Sequence, residues 1–138
     1  MVDKRRRKAY GLRQQVIKPV SSGPENPDIL LLCWGSSKGA VREAAQLLTE
    51  NGLRTGSIHF SQVWPLEPDH FLSLLQQAGQ VINVESNASG QFAALIRQET
   101  GFEVSGSILR YDGLPLTAGY IIQKLHALYK ESGYGSSQ

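Results

Sequence analysis

LLLCWGSSKGAVREAAQLL, residues 30–48, joins an apolar run to an amphipathic pattern and decides the fold class. The run ILLLCW, 29–34, has the length and composition of a strand that is covered on both faces. After a break at Gly35, apolar residues recur at helical spacing and predict a helix over 37–50. The stretch therefore predicts a strand, a tight turn and a helix. The predicted buried face of the helix consists of Val41, Ala44, Ala45 and Leu48.

The rest of the chain repeats this alternation of strands and helices. Three more strands are predicted at 54–60, 80–85 and 104–109, and three more helices near Pro68, before Gly101 and after Thr117. Asn87 or Ser89 is the predicted N-cap of the helix that ends at Gly101. The alternation predicts an α/β fold, in which a mostly parallel sheet carries helices on both faces and ligands bind at the carboxyl ends of the strands.

A basic N-terminal arm differs in charge from the rest of the chain. Residues 1–20 hold seven Lys or Arg and one Asp, a formal charge of +6, and the remaining residues carry −4. Such an arm is typical of nucleic-acid or membrane-surface binding, or of a solvated linker. Tyr10 is its only aromatic residue and no nucleic-acid motif follows. We therefore favour the linker and expect no nucleic-acid partner.

Composition predicts a cytoplasmic protein without a membrane partner. No apolar run approaches the roughly 20 residues that span a bilayer, and the charged N-terminus does not have the form of a secretory signal. The lone cysteine, Cys33, lies in the most apolar run, which indicates a buried thiol rather than a nucleophile. His59, His70 and His126 share no metal-ligand spacing, so no metal ligand is predicted.

GSSKG, 35–39, lies where a parallel sheet places its ligands. Free N–H groups at the start of the following helix favour an anion, and Ser36, Ser37 and Lys38 are the candidate ligand residues. The segment lacks both the Walker pattern and G-x-G-x-x-G. A serine N-cap and glycines that permit a tight turn explain the same residues without a ligand, and this structural interpretation is the favoured one.

ESNASGQ, 85–91, is the second candidate site. A carboxylate at a strand end, followed by an amide and a turn of small residues, suits a polar ligand or a domain interface. The candidates are Glu85, Asn87, Gly90 and Gln91. Asn87 is equally suited to capping and Glu85 to facing a cation of a partner. No catalytic residue and no nucleophile elbow is identified, so residue chemistry by itself does not indicate an enzyme.

Several motifs in series carry a family resemblance. Their order and spacing resemble the C-terminal, transketolase-like part of the alpha subunit of 2-oxoacid:ferredoxin oxidoreductases, with the 2-oxoglutarate type favoured. The resemblance covers about residues 4–128. The motifs are KRRRKAYGL (4–12), LLCWGSSKGAVREA (31–44), HFSQVWPL (59–66), INVESNASGQFAALIRQETG (82–101) and SILRYDGLPLTAGYI (107–121).

The resemblance implies a three-layer α/β/α domain with a five-stranded sheet. Residues 13–20 would supply one antiparallel edge strand and residues 1–12 a basic linker or helix from a preceding domain. The domain itself is expected over 13–130, followed by a disordered tail at 131–138. The full enzymes decarboxylate a 2-oxoacid to an acyl-CoA, using thiamine diphosphate, magnesium and iron–sulfur clusters, and pass electrons to ferredoxin.

On this resemblance the chain is expected to be a non-catalytic structural or assembly domain. No cofactor is expected to bind to it, because the pyrimidine-binding domain, the beta subunit and the cluster cysteines are missing from it. Its expected partners are the remaining domains of the alpha subunit and the thiamine-diphosphate-binding beta subunit. The alternative is a module that binds CoA or another phosphate ligand at GSSKG.

Overall fold

The apolar run 29–34 is the central strand of the sheet. The computed structural model describes residues 17–62 and 66–132, of which 129–132 by backbone only. The strands are β1 (Val20–Ser22), β2 (Ile29–Trp34), β3 (Thr55–Phe60), β4 (Gln80–Glu85) and β5 (Gly106–Leu109). The helices are α1 (Lys38–Glu50), α2 (Leu72–Gln77), α3 (Gln91–Thr100) and α4 (Ala118–Ser132), with 3₁₀ turns at Gly35–Ser37 and Pro68–His70.

The five strands form one mixed sheet in the order β1-β3-β2-β4-β5. β2, β3, β4 and β5 pair in parallel, and β1 alone runs antiparallel, with Val20 opposite His59. The predicted mostly parallel sheet with one antiparallel edge strand is confirmed. A central β2 also explains its composition, because a strand with neighbours on both sides and helices on both faces has no exposed row of side chains.

Alternate residues of β2 enter two separate cores. Ile29, Leu31 and Cys33 pack against α1 and α4 on one face, and Leu30 and Leu32 pack against α2 and α3 on the other. This period of two is the pleat of a strand, even though the run itself is continuously apolar. Each fully buried Leu or Ile contributes about 1.5–3 kcal/mol. With one core on each face of the sheet, the helices form the two outer layers of the predicted three-layer structure.

The antiparallel edge strand begins later than the sequence predicted. The predicted stretch was 13–20, and the strand is Val20–Ser22, so Val20 is the one residue that the two share. Residues 13–16 lie outside the described part of the chain. Pro19 explains the shift, because it lacks the N–H that a ladder needs and so precedes the strand rather than ending it.

The other elements match the predicted ones within a few residues, with two differences. The helix predicted near Pro68 is divided into a 3₁₀ turn and the six-residue α2, although Phe71 and Leu75 are buried as expected. Helix α4 continues through Ser132, into the segment predicted to be the tail. Residues 1–12 and 133–138 lie outside the described residues, and their assignment as linker and tail stays a prediction.

Candidate functional site

The GSSKG segment forms a 3₁₀ turn between β2 and α1 at the carboxyl end of the sheet. Gly35 has φ +71°, a conformation that favours glycine. The Ser37 hydroxyl is buried and donates to the Trp34 carbonyl at 3.0 Å. The predicted capping of α1 by this side chain is therefore wrong, although Ser37 occupies the N-cap position. His59 Nε2 lies 2.7 Å from the Gly35 carbonyl oxygen, and donates to it because that oxygen only accepts.

Two side chains of this turn face solvent. Ser36 and Lys38 are exposed, whereas Ser37 is committed to the backbone of the turn. The exposed pair is positioned by β2, which ends beneath it, and by the first turn of α1. One hydroxyl and one ammonium group are therefore accessible here to an anion or a partner surface. The third predicted residue, Ser37, makes a structural contact instead.

Glu85 ends β4 with a carboxylate that is almost completely buried, at 1% exposure. Its oxygens accept hydrogen bonds from five groups of the same chain. Burial raises the pKa of Glu85, but the bonds from Asn87, Phe92, Asn83 and Ala93 outweigh burial and hold the pKa below its usual value. The donors are Asn83 Nδ2 at 2.6 Å, Asn87 Nδ2 at 2.8 Å, Phe92 N at 2.9 Å, Ala93 N at 3.1 Å and Trp34 Nε1 at 3.3 Å.

The first N–H groups of α3 donate to the Glu85 carboxylate, so the predicted N-cap, Asn87 or Ser89, is wrong. The N-cap position is Gly90, with φ +63°, and no side chain at that position caps the helix. Glu85, seven residues before Phe92, accepts from the first N–H groups instead. A carboxylate there also complements the positive end of the helix dipole. The site that a helix N-terminus offers to an anion is thus filled from within the chain.

The remaining residues of the second candidate site support the turn before α3. Asn87 Oδ1 accepts from Ser89 N at 3.1 Å and from Gly90 N at 2.8 Å, while its amide nitrogen donates to Glu85. Gly90 is buried, and Gln91 is exposed as the first residue of α3. The structure brings Glu85, Asn87 and Gly90 together, and GSSKG is linked to them through Trp34.

That link lies at the switch point of the sheet topology. The chain leaves β2 toward β3 and leaves β4 toward β5, so the two connections diverge between β2 and β4. The β2–β4 ladder stops at Leu32 opposite Asn83, before either strand ends. Open α/β sheets bind ligands in such a crevice. In this chain the Trp34 indole and the Glu85 carboxylate meet across it at 3.3 Å.

Sequence reasoning missed Trp34 and Asn83 as partners of Glu85. A usable signal existed for Asn83, because residues two apart on a strand share a face and Asn83 is a polar residue in the middle of β4. Trp34 is 51 residues from Glu85, and only the strand order brings the two together. Asn83 is fully buried, and its Oδ1 accepts no hydrogen bond from any residue of 17–62 or 66–132.

The chemistry available among the described residues is limited. Within 17–62 and 66–132, no group of three His, Cys, Asp or Glu side chains is placed to hold a metal ion. The predicted burial of Cys33 is confirmed, and this burial raises the pKa of its thiol to about 12, against a smaller opposing effect of Lys38. No helix of the described part has the length and apolarity to cross a membrane.

These features define a three-layer α/β domain of mixed sheet whose switch-point crevice is closed by its own side chains. The model of the transketolase C-terminal domain matches residues 20–129. The chain belongs to this family.

Relatives and solved structures agree with this assignment. The alpha subunit of 2-oxoacid:ferredoxin oxidoreductase 1 from Aeropyrum pernix is 34% identical over 96 residues, which are 68% of this chain and 15% of the relative. The 2-oxoglutarate:ferredoxin oxidoreductase from Magnetococcus marinus, solved with 2-oxoglutarate, coenzyme A and succinyl-CoA bound, is 28% identical with a TM-score of 0.78. The match covers 86% of this chain and 21% of that one.

A third comparison involves a much shorter chain. The alpha chain of a probable 2-oxoacid ferredoxin oxidoreductase from Thermoplasma acidophilum is 29% identical with a TM-score of 0.57. The match covers 82% of this chain and 97% of that one. By contrast, this chain spans 15% to 18% of the length of the curated alpha subunits that it matches. The homologues are thus alpha subunits of multi-subunit oxidoreductases, and the region shared with them is the transketolase-like domain.

Proposed function

We propose that the chain is a non-catalytic structural and assembly domain of a 2-oxoacid:ferredoxin oxidoreductase alpha subunit, acting in the cytoplasm. The observation that carries this proposal is the Glu85 carboxylate. It lies in the crevice where such sheets bind ligands, yet five groups of the chain already donate to it. A carboxylate with its oxygens so engaged organises the fold and is poorly placed to act on a substrate.

The holoenzyme proposed here uses thiamine diphosphate with magnesium, iron–sulfur clusters and CoA, together with a beta subunit and ferredoxin. The described residues do not fit a cluster or a magnesium diphosphate. Cys33 is buried within β2, and the Glu85 oxygens are occupied by donors. We therefore assign these groups to other domains of the enzyme and derive no reaction step on this chain.

The substrate proposed for the holoenzyme is 2-oxoglutarate. Support comes from the Magnetococcus marinus enzyme, which was solved with 2-oxoglutarate and succinyl-CoA and has the higher TM-score of the two oxidoreductase structures compared. Substrate selection would lie outside this domain, so the test compares 2-oxoglutarate with pyruvate in the reconstituted enzyme.

The experiment measures viologen dye reduction that depends on a 2-oxoacid and CoA. The purified 138-residue chain is assayed alone and after co-expression with the remaining alpha-subunit domains and the beta subunit. We expect no turnover by the chain alone, and co-purification with turnover in the co-expressed sample. Turnover by the isolated chain contradicts the non-catalytic role, and failure to associate contradicts the assembly role.

A second candidate function is binding of CoA or another phosphate ligand at the GSSKG turn. The observation that favours it is the exposure of Ser36 and Lys38 at the carboxyl end of the sheet. Calorimetric titration with CoA would give heat that decreases with added salt and is weakened at least about threefold in Lys38→Ala. Lys124→Ala, at another exposed helical lysine, is the control. A flat titration at millimolar CoA excludes this function for the domain.

A further inference from the structure

The loop 110–117, between β5 and α4, is braced from within by the Arg110 side chain. Its Nε donates to Asp112 Oδ1 at 3.1 Å, its Nη1 donates to the Pro115 carbonyl at 3.2 Å, and the guanidinium lies 4.3 Å from the centre of the Tyr120 ring. Asp112 Oδ1 also accepts from Leu114 N at 3.1 Å. The Arg110 side chain is only 15% exposed. The loop is therefore an ordered structure with a defined outer surface.

This loop carries two of the most exposed large apolar side chains of the described residues. Tyr111 is 72% exposed and Leu114 is 57% exposed. Both lie in one turn, so they are not scattered single residues of the kind that needs no explanation. Because the loop itself is already ordered, a partner that covers these two side chains does not also have to order the loop backbone.

The charges of the loop cancel within it. Arg110 and Asp112 are its only ionisable Lys, Arg, Asp or Glu side chains, and they pair with each other. The loop thus offers neither a basic patch for nucleic acid nor a net charge for a small anion. What it offers is apolar area with a tyrosine hydroxyl, the composition of the centre of a protein interface.

We propose that Tyr111 and Leu114 dock this domain onto an apolar face of another folded domain of the same alpha subunit. The inference rests on the proposed function and adds the surface through which assembly occurs. The length of the curated relatives supports this occupant, because the chain spans only 15% to 18% of the alpha subunits that it matches. The chain covers 21% of the Magnetococcus marinus chain at a TM-score of 0.78, so in that protein this fold is one unit within a chain about five times longer. A second unit is thus available to cover the loop.

The first experiment measures affinity for the remaining domains of the alpha subunit. The Tyr111→Ser/Leu114→Ser variant should keep the unfolding midpoint of the unmodified chain, since both side chains are exposed, and should bind at least about tenfold more weakly. Leu47→Ser/Leu74→Ser removes two exposed leucines from α1 and α2 and is the matched control. Its affinity should change by less than about threefold.

The second experiment uses the inertness of Cys33. Because that thiol is buried, Leu114→Cys introduces the one readily modified cysteine of the sequence. Maleimide labelling should be fast in the isolated chain and at least about tenfold slower in the assembly, whereas labelling of Leu74→Cys should be similar in both states.

The outcomes separate this inference from the function on which it rests. If the unmodified chain does not associate, the proposed function fails and the inference with it. If it associates and the loop double variant associates equally well, only the docking surface is wrong. Equal labelling of Leu114→Cys in both states, or self-association of the chain that depends on the loop, also overturns it.

Discussion

Glu85 keeps a negative charge inside the domain, and none of the described Lys, Arg or His side chains forms an ion pair with it. Its oxygens accept from two amide side chains, an indole and two backbone N–H groups, so donors and the helix dipole replace the counter-ion. The carboxylate thereby ties together the end of β2, the end of β4 and the start of α3. This residue, rather than the exposed Ser36 and Lys38, determines the shape of the carboxyl end of the sheet.

Replacing Glu85 by Gln tests this role. At pH 7 the NH₂ group of the glutamine would face N–H donors and could not accept their hydrogen bonds, so some of these buried donors would lose their acceptor. We expect a loss of about 2–3 kcal/mol of unfolding free energy. The pKa of Glu85 is lower in the folded than in the unfolded chain. Its contribution is therefore complete above the ordinary pKa of 4.5 and is lost as the pH falls through the folded value.

Urea unfolding of the unmodified chain and of Glu85→Gln, between pH 7 and pH 3, measures both effects. The difference between the two proteins should shrink at the acid end of this range. Glu103→Gln is the control, because Glu103 belongs to an exposed pair with Arg97 and should change stability by less than about 0.5 kcal/mol. A difference that is small at pH 7, or constant down to pH 3, contradicts the proposed role of the charge.

At the scale of elements, the turn before α3 depends on the backbone conformation of Gly90. Its φ of +63° is unfavourable for residues with a Cβ, although the space for one is free of atoms closer than 3.9 Å. Gly90→Ala should therefore destabilise by about 1–2 kcal/mol through strain and not through a clash. Gly119 in α4 has open space too and no positive φ. Gly119→Ala should stabilise by about 0.5 kcal/mol.

Chemical denaturation of the two glycine variants decides this prediction by the sign of the change. Opposite signs attribute the effect at Gly90 to its backbone conformation, since neither added methyl group clashes with a neighbour. If Gly90→Ala is as stable as the unmodified chain, the start of α3 is not fixed by this residue.

The elements that the sequence predicted well are those with a continuous local pattern. The β2 run and the α1 face bury the expected residues, because periodicity reports which side of an element meets the core. Helix α4 also begins after Thr117 as predicted, and the Thr117 hydroxyl accepts from Tyr120 N at 3.1 Å. The edge strand was misplaced because Pro19 lacks the N–H that a ladder needs. The start of α3 was misplaced because Glu85 accepts from N–H groups seven and eight residues further along the chain.

The candidate site could be predicted only as a location. Parallel strands place their carboxyl ends together, so GSSKG and ESNASGQ were rightly expected at one edge. The sequence did not indicate that Trp34 and Glu85 would meet there, since this requires the order of β2 and β4. Whether Ser36, Lys38 and Gln91 contact a ligand or a domain stays a prediction.

At the scale of the whole molecule, the positive charge is concentrated in the N-terminal arm, outside the two packed cores. The described body has a closed three-layer structure, and the family match begins at residue 20, after most of the basic arm. Residues 1–12 hold five Lys or Arg and one Asp, so deleting them changes the formal charge from +2 to −2. A variant that lacks these residues should therefore differ from the full chain in net charge but not in stability.

Deleting residues 1–12 should leave the unfolding free energy within about 0.5 kcal/mol of the full chain, because the family fold lies beyond them. The full chain at micromolar concentration should not retard a DNA duplex or an RNA hairpin at about 0.15 M salt, since a short arm with few cations supports only weak, salt-sensitive contacts to phosphates. Any retardation at low salt should disappear with the arm. Counterion release from a few phosphates does not sustain binding at about 0.15 M salt. If retardation persists at that salt concentration and requires residues 1–12, the arm is instead a nucleic-acid-binding segment.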